Sequence, residues 1–131
     1  MIAKLNAVRT ASLVVTEEQK IRFATAIDRV AGDVDLLVSI AAIVTEDVPA
    51  VFAKFKDQLA SGNLTEVPVT GHQLKGMLST FETRGAVVLL QEVIVSAREG
   101  NQQEADDAFR RCAAEIGSLI DEIKQLGAAH S

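Results

Sequence analysis

Apolar residues recur at spacings of three and four along nearly all of this chain, and only two prolines interrupt its 131 residues. The pattern is plainest at the C-terminal end, where Ala105, Phe109, Cys112, Ile116, Leu119, Ile123 and Leu126 fall on one stripe. A pleated strand would alternate with period two, so this spacing belongs to helices that bury one face against their neighbours. Thr16 with Gln19 three residues on reads as a capping box opening a helix that ends at Gly32. A second helix starts near Asp33, carries Leu37, Ile40, Val44, Val51, Phe55 and Leu59, and stops at Ser61-Gly62-Asn63. Pro49 lies inside it and is expected to kink or split it near Asp47. A third helix begins at Thr65, tolerates Pro68 in its first turn and continues to about Glu82. A fourth runs from Gly85 to Arg98, closing at Gly100, and the last from about Gln102 to Leu126. Four substantial helices with short connections predict an all-α fold, an antiparallel up-and-down four-helix bundle with an additional N-terminal helical segment. Residues 1–15 stay unassigned, as helix or tail, and the β-branched runs over residues 12–16 and 67–69 are too short to argue for a sheet.

No Gly/Ser linker and no internal repeat divides the chain, so residues 1–131 read as one domain. A single cysteine, Cys112, excludes a disulfide framework and fits a reducing compartment; the cytoplasm is the expected location. The net charge is −5, Trp and Tyr are absent and Phe numbers five, a composition that argues against tracking phosphates and stacking bases, hence against a nucleic-acid partner. The longest nearly uncharged run, residues 36–45, is short for a bilayer span, and the N-terminus lacks a signal-peptide core, so no membrane association is expected.

The third helix carries more than a packing stripe. Val67, Leu74, Leu78 and Phe81, with Gly71 among them, face the expected core. The other face places Lys75, Gly76 and Ser79 at three, four and seven residues from His72. Glycine in a helix interior costs roughly 1 kcal/mol relative to alanine, and this chain uses alanine freely elsewhere. Gly71 is expected to let a neighbouring helix approach, and Gly76 to leave the imidazole unshielded. An accessible neutral imidazole is a nucleophile. A phosphoryl group on it would carry close to two negative charges, which Lys75 is placed to offset. Taken singly, the same residues read as a surface histidine, a solvated lysine and a packing glycine.

The string His72-Gln73-Leu74-Lys75-Gly76, followed by Phe81, resembles the His-x-Leu-Lys-Gly signature of histidine-containing phosphotransfer domains. The likeness continues in the turn Ala31-Gly32-Asp33 before Val34-Asp35-Leu36-Leu37, in Pro49, in the stop Leu59-Ala60-Ser61-Gly62-Asn63 and in Ala97-Arg98-Glu99-Gly100-Asn101, so it covers about residues 22–127. The resemblance implies a four-helix bundle with His72 as phosphoacceptor near mid-bundle. Lys75 would be its cationic neighbour, Gly76 the gap through which a receiver domain approaches, and Gln73 a polar contact to phosphate or partner. Ser79 shares that face. The implied partners are response-regulator receiver domains and a hybrid histidine kinase. The implied activity is a relay step and not turnover catalysis, with no metal or cofactor on this chain and Mg²⁺ on the receiver. Met77-Leu78 and Glu82-Thr83 depart from the small residues and Gly-Ala common in the family, which bears on partner choice; Met77 would add apolar surface facing the partner. The rival reading is a helical adaptor or scaffold that binds signalling partners without phosphotransfer. A carboxylate-bridged metal bundle would need Glu-x-x-His, and Val69 and Gly127 stand where those glutamates would be. Cys112 is expected in the core and His130 at a frayed end.

Overall fold

The computed structural model describes residues 15–129, and every regular element in it is a helix. These are α1 (Glu17–Arg22), α2 (Ala24–Arg29), α3 (Val34–Ala60), α4 (Val67–Leu78), α5 (Ala86–Arg98) and α6 (Gln102–Gly127). No strand occurs among the described residues. Residues 1–14, with the expected N-terminal extra segment, and His130 lie outside them.

Local chemistry sets most boundaries. The Thr16 hydroxyl accepts the Gln19 amide while the Gln19 side chain accepts the Thr16 amide, completing the capping box at α1. The Asp33 side chain caps α3 by accepting from the Leu36 amide, and Asn101 caps α6 by accepting from the Glu104 amide. Gly62, Gly85 and Gly100 each hold a positive φ at or beside a helix end.

Three boundaries differ from the sequence reading. The first helix is broken at Phe23, whose φ of −106° and ψ of 23° leave helical geometry; its ring is buried and meets Phe81 edge-on with centroids 6.0 Å apart. The third helix ends at Leu78 instead of Glu82, because the Arg29 guanidinium takes the Ser79 and Thr80 carbonyls at 2.8 and 3.0 Å. The second helix is not split at Pro49: α3 runs through it, and since Pro49 is exposed, the hydrogen bond that its missing N–H forfeits falls on the solvent side.

Helices α3 to α6 each pack against their chain neighbours, and α6 returns to pack on α3, closing a ring around one core. Phe55, Leu74, Leu78, Leu90, Ile94, Ile116 and Ile123 fill that core, fully buried. Two glycines permit its tightest approaches: a Cβ at Gly71 would lie 2.7 Å from Ile94 Cγ1 and 2.9 Å from Phe55 Cε1, and one at Gly127 would lie 2.8 Å from the Ala42 backbone nitrogen. By length and composition alone α3 passes for a membrane span, with a mean hydropathy of 1.8 over its most apolar window, contrary to the reading taken from residues 36–45. The same helix supplies Leu37, Val38, Ala41, Val48, Phe55 and Leu59 to the common core.

Candidate functional site

Helix α4 presents two chemically distinct faces. Val67, Thr70, Gly71, Leu74 and Leu78 are buried, whereas His72, Gln73 and Gly76 are exposed. The asymmetry follows from the i, i+3, i+4 geometry of the helix, with the apolar stripe drawn into the ring of helices. Pro68 sits in the first turn, where its missing N–H costs no helical hydrogen bond.

The His72 imidazole makes no hydrogen bond and no ion pair with any described residue. A Cβ built on Gly76 would meet nothing within 4 Å, so that side of the imidazole opens to solvent. The two glycines of α4 are thus unlike: Gly71 faces a packed interior and Gly76 faces empty space. Val69, one turn before His72, is 64% exposed, and Val88 and Val95 on α5 are 52% and 41% exposed. Val69 thus shares the exposed side of α4 with the candidate nucleophile, and Val88 lines a cleft with Lys75.

Lys75 and Ser79 differ from the sequence expectation. Lys75 is half-buried, and its Nζ donates to Gln91 Oε1 on α5 at 2.8 Å. Ser79 is also half-buried and spends its hydroxyl proton on the Lys75 carbonyl at 2.5 Å, a bond within the helix. Met77, expected to face a partner, is half-buried against the core. Glu82, where the sequence departs from the family pattern, accepts from Arg22 at 3.0 Å, and Arg22 also reaches Glu122 at 2.9 Å. That network ties α1 to the loop after α4 and to α6, so Glu82 has a structural task.

Sequence reasoning missed Gln91 and Arg29. Gln91 lines a cleft of about 290 Å³ with Lys75, Thr83, Val87, Val88 and Glu92, immediately beside the exposed face of α4. Only its apolar neighbours Leu90, Val93 and Ile94 announce α5 in the sequence, and a lone glutamine among them gives no sign of what it faces. Arg29 carries no motif at all. Among the described residues no cluster of His, Cys, Asp and Glu could hold a metal ion. Cys112, expected in the core, is fully buried there; burial first, and the nearby Glu115 carboxylate second, push its thiol up to about 11.

Comparison with protein-family models, with curated proteins and with solved structures gave no match.

Proposed function

We propose that this protein is a phosphorelay intermediate of the histidine-containing phosphotransfer type, acting in the cytoplasm, with α3 to α6 forming an antiparallel up-and-down four-helix bundle. The observation that carries the reading is the exposed, unpartnered imidazole of His72 on a helix whose other face is fully packed, with Gly76 open beside it and Lys75 one turn away. A structural histidine would be expected to find a partner; this one is presented to solvent at a position where a less costly alanine could replace the neighbouring glycine.

In the proposed step the lone pair of the neutral imidazole attacks the phosphorus of a receiver's aspartyl phosphate in line. The N–P bond forms as the P–O bond to the carboxyl breaks, and that electron pair leaves on the aspartate carboxylate. The second ring nitrogen keeps its proton. Return of the phosphoryl group to another receiver, or exchange with a hybrid histidine kinase, reverses the same bonds. Such transfers depend on positioning and charge stabilisation. Lys75 supplies positive charge, Gly76 allows approach, Gln73 offers an exposed amide, and Val69 and Val88 give a small apolar contact suited to a transient interface. Mg²⁺ is expected on the receiver and no cofactor on this chain.

Incubation with receiver domains carrying labelled aspartyl phosphate tests the reading. An acid-labile, alkali-stable label that is absent from His72→Gln supports it. Receiver binding without any label would favour the adaptor reading instead.

A further inference from the structure

A lysine on a helix surface moves through many rotamers, and fixing it costs side-chain entropy. Lys75 is already fixed: it is half-buried and donates to Gln91 Oε1 at 2.8 Å across the seam between α4 and α5. The acceptor is a neutral amide, so the ammonium is held without being neutralised. Glu92, the adjacent residue, also lines the cleft next to Lys75, but its carboxylate is engaged by Arg111 at 3.3 Å. The result is a positioned cation one turn from His72 with no ion-pair partner among the described residues, bordered by open space into which it can shift.

Resting on the phosphoacceptor reading of His72, we propose that Gln91 is a positioning residue for phosphoryl transfer, holding the Lys75 ammonium ready for the dianionic phosphoryl group while leaving its charge available. Two consequences separate this role from simple packing. Removing the amide should matter only while Lys75 is present. Replacing it by a carboxylate should also harm transfer although the hydrogen-bond acceptor is kept, because the charge of Lys75 is then spent on its neighbour.

Potassium phosphoramidate serves as the test donor, since it needs no partner protein. The imidazole forms its N–P bond as the donor's P–N bond breaks, and ammonia leaves with that electron pair. Initial rates are measured on the full chain by phosphorus NMR, counting only phosphate that His72→Gln fails to take up, with thermal melts confirming that each variant is folded. Gln91→Leu and Gln91→Glu are each expected to slow uptake on the order of fivefold, and Gln91→Leu to add nothing in the Lys75→Ala background. Wild-type rates in Gln91→Leu, or an equal loss with and without Lys75, would overturn the proposal while leaving the phosphoacceptor reading intact. Failure of the wild-type chain to take up phosphate at His72 would overturn both.

Discussion

Gly71 and Gly76 do opposite work on one helix, and substitution separates them. Gly71→Ala forces a Cβ to within 2.7 Å of Ile94 Cγ1 and 2.9 Å of Phe55 Cε1, both side chains fully buried. Overpacking of this kind costs about 1–3 kcal/mol, more than the gain from replacing a helical glycine, so the melting temperature should fall. Gly76→Ala meets open space and should raise stability by up to about 1 kcal/mol. Transfer from a receiver should nevertheless slow in that variant, since the methyl group narrows the approach to His72. Lys75→Ala removes a half-buried side chain whose ammonium hydrogen-bonds, among the described residues, to Gln91 alone, so transfer should drop while the circular dichroism of the helices stays nearly unchanged. A large loss of helix would make Lys75 structural. The functional contrast between the two glycines was open to sequence reasoning because one sits on the apolar stripe and the other off it. The Lys75–Gln91 pair was not, because it joins residues on different helices and depends on how α5 is rotated against α4.

At the scale of elements, Arg29 shows how one side chain sets a boundary. Its guanidinium takes the carbonyls of Ser79 and Thr80, just past the end of α4, and also reaches the Thr83 hydroxyl at 3.3 Å. Arg29→Ala should cost about 1 kcal/mol and speed amide hydrogen exchange at Phe81 and Glu82, which donate to the Leu78 carbonyl, before it affects the centre of α4. Equal acceleration along the whole helix would contradict this. Starts of helices were legible where a side chain caps its own turn, as at Thr16, Asp33 and Asn101, because such signals are local in sequence. The break at Phe23 and the early end of α4 were not, since each answers to a group distant in the chain: the Phe81 ring in one case and Arg29 in the other. Pro49 was overestimated for a related reason. A proline inside a helix costs a hydrogen bond, but the helix can carry that loss on its wet side while Val48 and Phe55 remain buried.

For the whole molecule, the packed ring of α3 to α6 makes the burial of Cys112 a property of the entire fold. Its thiol is raised from 9.0 to about 11 in the folded protein, so the unfolded chain loses that proton first. The contribution to stability is complete below about pH 9 and is lost as pH rises towards 11. Denaturant titrations should therefore show stability falling across that window, with a shallower fall in Cys112→Ala, and alkylation of the thiol should track global unfolding. The all-helical class of the molecule was legible because helical periodicity accumulates over long segments, whereas the proposed chemistry rests on a few residues of one face of α4. The most direct measurement of that chemistry is phosphorus and nitrogen NMR of the wild-type chain and of His72→Gln after exposure to phosphorylated receiver domains. The account predicts a phosphoramidate signal on the His72 ring that disappears with the substitution; phosphate found on another residue, or no covalent phosphate with any receiver, would contradict it.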